Sequence, residues 1–414
     1  MSKDCHWAIA AINYKNNDRI TACPRGQTLL AQKSKDVLPS KIFNNEGFKN
    51  LRNLLSNDVW NTHCKSCEDR ENKNIISYRQ RQNEVFWHDK LNEGIQPDGT
   101  SSFANLEYLE FRFSNTCNFS CLHCMPEYSS AWTDIVRNIT VEDDDKKNNI
   151  TPLISEVKNQ NWTIEEAEAV ADDLIANFPN VKRLDFAGGE PLYQKQFWAF
   201  LRKIIKHPNI NNMNVTIISN FNTPVDYEEL AILLTHFKES TIRISVDGSK
   251  SIYNYFRTGN WDVLKENMKV FKGINRKTIL ETTCTVSAYQ ILDLKDSFLD
   301  MFFLPSDRIH HTIVQYPTYL DPSILKSRFL PQIKEDLAKI KEFLEKMNSK
   351  ALKVHLGWQF YDEITELFEK TNTVEEDYQR FLYYIDRMDS IKNQNFDDNY
   401  KMTKADLKNA QPGQ

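Results

Sequence analysis

Residues 107–132, EYLEFRFSNTCNFSCLHCMPEYSSAW, carry two signals in succession. Leu109, Phe111 and Phe113 share one side of an extended chain, and Glu110, Arg112 and Ser114 share the other, which predicts a strand over 107–113. Directly after it come Cys117, Cys121 and Cys124, spaced C-x3-C-x2-C. Three thiolates on one short loop can hold three irons of a cubane cluster and leave the fourth iron open, whereas a four-iron cluster normally takes four cysteines. Zinc held by three cysteines and a histidine is the competing reading, with His123 available. Adjacent His123 and Cys124 are awkward co-ligands of one tetrahedral ion. The next cysteine, Cys284, stands in the β-branched run ETTCTVSA and reads as a small buried hydrophobe.

Downstream, further strands are predicted at 182–187, 214–219, 241–246, 278–286 and 310–316. Between them lie TIEEAEAVADDLIANF, KQFWAFLRKIIKH, YEELAILLTHF and WDVLKENMKVFKGI, each with apolar residues at helical spacing. Thr163 and Glu166 form a capping-box start for the first. Six strand–helix units imply parallel strands with right-handed crossovers. The expected fold is α/β, a partial (βα)6 TIM-like barrel. In TIRISVD, Ile242, Ile244 and Val246 oppose Arg243, Ser245 and Asp247, and Leu184 and Phe186 oppose Arg183 and Asp185. Ordinary parallel strands are apolar on both faces; a polar inner face suits a barrel whose lumen holds ligand. The run VEDDDKKNNITP at 141–152 reads as a solvated surface loop.

The chain of 414 residues is 40% hydrophobic and can bury a sizeable core. A net charge of -5 gives no reason to expect a nucleic-acid surface. No apolar run is long enough for a membrane span, and MSKDCHWAIAAI lacks a signal-peptide pattern. A cytoplasmic location is the expectation, where clustered cysteines are metal ligands more often than disulfides. Glycine is scarce, and neither G-x-G-x-x-G nor a Walker loop occurs, against a Rossmann or P-loop nucleotide site.

The cysteine loop after the first strand resembles the radical S-adenosylmethionine (SAM) superfamily, and so do other motifs across residues 105–320. DFAGGEPLY places Gly188, Gly189, Glu190 and Pro191 where that family has its GGE motif, which receives the amino group of SAM. Ser219 and Asn220 match the position that touches the ribose. Ser245, in SVDG, and Arg257, in YFRTGNW, resemble the serine and arginine that hold the methionyl carboxylate. His123 departs from the aromatic residue usual before the third cysteine; its planar ring can still pack on adenine. The resemblance implies a barrel [4Fe-4S] cluster on Cys117, Cys121 and Cys124, with SAM on its open iron. Reductive cleavage would then yield a 5′-deoxyadenosyl radical that abstracts a substrate hydrogen atom. Arg112 and Asp247 are the candidate catalytic residues, contacting substrate. Tyr128, Ser129 and Trp132 are further site candidates.

Cys5, Cys23, Cys64 and Cys67 form a second group: a C-x2-C pair with two distant cysteines makes a four-sulfur metal site. The segment is similar to the auxiliary-cluster module called twitch or half-SPASM, which implies a second [4Fe-4S] cluster, with zinc as the alternative. The expected organisation is an auxiliary module at 1–80, a linker at 81–104, the barrel at 105–320, a helical region at 321–400 and a disordered tail at 401–414. The expected activity is that of an oxidoreductase with a ferredoxin or flavodoxin as reductant and a ribosomally made peptide as substrate. The alternatives are a small molecule (sugar, aminoglycoside or nucleotide), or a non-catalytic iron–sulfur electron carrier or zinc-stabilised binding module.

Overall fold

A computed structural model describes residues 3–86, 94–155, 161–370 and 374–412. Among the described residues, nine strands, most of them paired in parallel, alternate with helices, which makes the fold α/β. The chain divides into two compact units: residues 1–116, 158–218 and 229–240, and residues 117–157, 219–228 and 241–414. These cuts differ from the segments expected from the sequence.

In the first unit the strands are β1 (Ala11–Tyr14), β2 (Arg19–Thr21), β3 (Ala31–Gln32), β4 (Tyr108–Phe111), β5 (Arg183–Phe186) and β6 (Asn214–Ser219). They run in the order β3-β2-β1-β4-β5-β6. β1 pairs parallel to β4, with Ala11 opposite Tyr108, and β2 and β3 add antiparallel strands beyond it. The N-terminal segment, expected as a separate module, therefore continues the sheet of β4. The pairing needs only a short strand of small and apolar residues, which AINY supplies without a periodic signature. Phe111, Phe113, Phe186, Phe200 and Trp162 pack ring against ring on the apolar side of β4 and β5. Such aromatic pairs fix geometry as well as burying area. On the other face Arg112 Nε meets Glu110 Oε1 at 2.8 Å, and Arg183 Nε meets Asp185 Oδ1 at 2.8 Å. That face is polar but not open, since Glu110 is 6% exposed.

The second unit contains β7 (Glu239–Ser245, whose first two residues belong to the first unit), β8 (Ile279–Val286) and β9 (Arg308–Ile313), paired in parallel. Strands β4 to β9 are the six that the sequence predicts. Thr163 and Glu166 do form the capping box of the helix Ile164–Asn177. Three long helices, Lys326–Glu345, Leu352–Lys370 and Glu375–Lys392, supply the expected C-terminal helical region.

Two segments read as loose are ordered. In 141–152, Asp143–Lys147 is a capped helical turn, and Asp145 is fully buried. Arg387 grips Asp145 with Nε–Oδ1 at 2.8 Å and Nη2–Oδ2 at 2.9 Å, and Tyr383 OH donates to Oδ1 at 2.8 Å. Beyond residue 401, Lys404–Asn409 is a helix with a Thr403–Asp406 capping box, and Leu407 O accepts from Tyr378 OH at 2.7 Å. In both cases a distant helix supplies partners that local composition cannot announce.

Candidate functional site

In the first unit, the chain leaving β4 is stapled to the turn that follows β5. Glu190 N donates to Thr116 O at 2.9 Å. Gln194 Nε2 lies 3.1 Å from Ser114 O, 3.2 Å from Thr116 O and 3.0 Å from Gly188 O. Its two hydrogens are thus shared among three carbonyls. Gly189 has φ +57°, and a Cβ there would lie 2.4 Å from Thr116 O, so only glycine fits. Pro191 opens a short 3-10 turn, and the buried Glu190 carboxylate accepts from Leu192 N at 3.1 Å. Thr116 immediately precedes Cys117 in the chain.

In the second unit, residues 256–258 hold one edge of that loop. Leu122 N donates to Phe256 O at 2.8 Å, Ser120 N to Thr258 Oγ1 at 2.9 Å, and Cys121 Sγ to Arg257 O at 3.5 Å. Thr258 sits at φ +59°, a region a β-branched residue rarely enters, as the left-handed cap of the helix Lys250–Arg257. Cys117 N donates to Ser130 Oγ at 3.1 Å, and Cys117 Sγ accepts from Phe119 N at 3.4 Å. Cys124 N closes a turn onto Cys121 O at 3.0 Å. Burial raises both of these thiols; Cys124 reaches about 12, with Cys121 beside it adding to the rise. Ser129 and Trp132, expected near the site, hold the loop through their side chains: Ser129 Oγ donates to Phe119 O at 2.5 Å and Trp132 Nε1 to Cys121 O at 2.8 Å. Tyr128 turns back onto Met125 O through its own N–H.

Within the second unit, Asn220 Nδ2 donates to Asn118 Oδ1 at 2.8 Å. Ser219 Oγ accepts from Phe221 N at 2.8 Å. Ser245, at the end of β7, stands in register with Thr283. Arg257 Nη1 lies 2.5 Å from Asp247 Oδ2, and Asp247 Oδ1 accepts from Thr285 N at 2.6 Å. Arg257 Nε is buried and has no partner among the described residues. His123 stacks on Phe256 with centroids 5.1 Å apart, and its Nε2 lies 3.8 Å from Asp247. Burial lowers the His123 pKa, with Asp247 opposing the fall. Arg112 and Asp247, the two candidate substrate contacts, are both engaged in ion pairs with neighbours. Cys284 is buried as a hydrophobe beside Val246 and Val286.

Back in the first unit, Cys5, Cys23, Cys64 and Cys67 line one small cavity together with Trp7, Tyr78 and Arg79. Burial pushes the Cys5 thiol up to about 11 and the Cys23 thiol up to about 12, and the neighbouring cysteines add to both rises. Mutually raised thiols are an unfavourable place for bare thiolates, and a bound cation inverts that cost. Among the described residues, no group of three or more His, Cys, Asp or Glu side chains is arranged to hold a single metal ion. The loop offers three thiols and the N-terminal cavity four; such sulfur donors suit an iron–sulfur cluster, and at the N-terminal cavity zinc equally. Sequence reading missed Gln194, Thr258, Tyr384 and Lys392. Gln194 and Thr258 adjoin motifs that were noticed; the other two reach the loop from 262 and 272 residues away.

No helix among the described residues is long and apolar enough to cross a membrane. No curated protein sequence matches the chain. Among solved structures, similarity is found to native anSMEcpe with bound AdoMet, at 18% identity and TM-score 0.37, covering 63% of this chain and 62% of that one. It is also found to Streptococcus suis SuiB bound to S-adenosylmethionine, at 17% identity and TM-score 0.37, covering 67% and 56%. A third is coproporphyrinogen III oxidase (HemN) from Escherichia coli, a radical SAM enzyme, at 13% identity and TM-score 0.34, covering 63% and 52%. The chain thus spans less than two thirds of the length of each of these structures. Residues 111–288, which contain the cysteine loop and the GGEP turn, match the model of the radical SAM superfamily.

Proposed function

We propose that the chain is an enzyme that cleaves S-adenosylmethionine reductively and abstracts a hydrogen atom from a substrate. The observation that carries this reading is the C-x3-C-x2-C loop at the head of the matched segment, held by hydrogen bonds along both of its edges. The cluster and SAM would supply a 5′-deoxyadenosyl radical, so the protein's work is holding, orienting and excluding water. Cys117, Cys121 and Cys124 would hold the cluster. Glu190 would accept the ammonium of SAM, and Arg257, with Nε still available, would face its carboxylate. Ser245, Ser219 and Asn220 are further proposed SAM contacts. Asp247 would orient Arg257 through their ion pair, and Arg112 and Asp247 would face the substrate.

The four-cysteine cavity supports a second [4Fe-4S] cluster as the reading of the N-terminal cysteines. A module of that kind favours a ribosomally made peptide as substrate, with a small molecule as the second reading. Ferredoxin or flavodoxin is the proposed reductant. Anaerobic reconstitution with iron and sulfide, followed by incubation with SAM and reductant, tests the first step. Release of 5′-deoxyadenosine is the expected product. A protein that binds iron on the loop yet never forms it would overturn the catalytic reading in favour of an electron carrier.

A further inference from the structure

The carbonyl edge of the cysteine loop is capped without a gap from Phe119 to Leu122. Ser129 Oγ serves Phe119 O, Lys392 Nζ serves Ser120 O, Trp132 Nε1 serves Cys121 O, and Tyr384 OH serves Leu122 O. Two of these donors follow the loop closely in sequence. Tyr384 and Lys392 come instead from the helix Glu375–Lys392, two turns apart along it. The helix ends at Lys392, because Asn393 adopts the left-handed conformation at φ 49°. A cation at that terminus is favoured by the helix dipole. Its ammonium also lies 5.6 Å from the centre of the Trp132 ring, an arrangement that attracts a cation.

A hydroxyl, an indole or a phenol caps a carbonyl without carrying charge, as the other three donors do. Only Ser120 O, next to Cys121, receives an ammonium. Arg257 and Asp247, also near the loop, are paired with each other. Burial pushes the Lys392 ammonium down to about 8, and the Cys121 and Cys124 sulfurs beside it favour its charge.

We infer that Lys392 is a positioning residue for a cluster on Cys117, Cys121 and Cys124, caps Ser120 and favours the cluster's reduced state by its charge. The inference rests on the reading of that loop as a cluster site. The step is a one-electron transfer in which no bond forms or breaks: a ferredoxin- or flavodoxin-class reductant is oxidised and the cluster gains one negative charge. A fixed cation close by stabilises the more negative state.

The test uses the reconstituted full chain in a redox titration followed by electron paramagnetic resonance. The variant with alanine at Cys117, Cys121 and Cys124 is subtracted to isolate the loop signal. Lys392→Gln keeps a donor for Ser120 O but removes the charge; Lys392→Arg keeps both. At a fixed poise, the reduced-to-oxidised ratio in Lys392→Gln should fall about tenfold, equal to about 59 mV for one electron. Lys392→Arg should stay close to the unaltered protein, as should Tyr384→Phe, which removes a neutral cap. An unchanged ratio in Lys392→Gln, or an equal fall in Tyr384→Phe, overturns the inference. Should Lys392→Gln fail to hold iron, retention by Lys392→Arg supports the charge requirement and loss in both overturns it. Absence of loop iron in the unaltered protein is a different result, and it overturns the cluster reading itself.

Discussion

Arg257 and Asp247 form a buried ion pair with Nη1 and Oδ2 2.5 Å apart, and the second carboxylate oxygen is taken by Thr285 N at 2.6 Å. The pair fixes the guanidinium beside the cysteine loop while leaving Nε unused. Removing only the carboxylate strands a buried cation. Asp247→Ala should lower stability by about 3–5 kcal/mol, as broken buried pairs do. Urea unfolding of the two proteins measures it, and a loss under about 1 kcal/mol would show that water compensates Arg257.

Glu190→Gln replaces a charged acceptor by a neutral amide, and hydrogen bonds to an ionised acceptor are roughly twice as strong. SAM affinity should fall about tenfold, a loss of about 1.4 kcal/mol. The backbone bond from residue 190 to Thr116 O should survive. Calorimetric titration with SAM reads this; equal affinities would remove Glu190 from the cofactor site.

Gln194 is the test of the staple between the two loops. Gln194→Leu removes the donor shared by Ser114 O, Thr116 O and Gly188 O, of which Thr116 O keeps Glu190 N. The expected cost is about 1–3 kcal/mol for buried groups left unsatisfied. SAM affinity should weaken with it, because the GGEP turn loses its anchor. Weakened binding with unchanged unfolding free energy would point to a direct contact instead.

Asp145 gives a prediction on the acid side. Burial works against its charge, but hydrogen bonds from Arg387, Glu142 N and Tyr383 prevail and hold its carboxyl below the usual range. A depressed carboxyl stabilises the fold above its unfolded-state pKa, and the contribution is lost as pH falls through the carboxylate range towards the folded value. Stability should therefore fall more steeply below about pH 4 in the unaltered protein than in Asp145→Asn. Parallel acid-denaturation curves for the two would refute this account of the 141–152 segment.

The N-terminal cysteines are decided by metal analysis. Two four-iron clusters require about eight irons per chain. About four irons with one zinc would make the four-cysteine centre structural and remove its redox role. Replacing Cys64 and Cys67 with alanine should lose about half of the bound iron while the loop signal remains.

What could be read without coordinates was whatever is encoded within a few residues. The alternation in 107–113, the C-x3-C-x2-C spacing, the GGEP turn and six strand–helix repeats each rest on local periodicity or on a residue type needed at one place. Gly189 belongs to this class, since a left-handed φ close to another backbone admits no side chain. The four N-terminal cysteines were legible as a set because cysteine is rare and thiols seek a common ligand.

Tertiary structure alone decided the pairings between distant parts. AINY carries no sign that it will pair with β4, and DDDKK looks like a solvated charge run until Arg387 arrives from another helix. The sequence marks Arg257 and Asp247 singly and not as partners, because an ion pair depends on where two backbones bring their side chains. Tyr384 and Lys392 reach the cysteine loop from a helix whose sequence is ordinary. Residue spacing encodes which groups are present and how they repeat; which distant donor fills an exposed carbonyl follows from packing, where every buried polar group must find a partner.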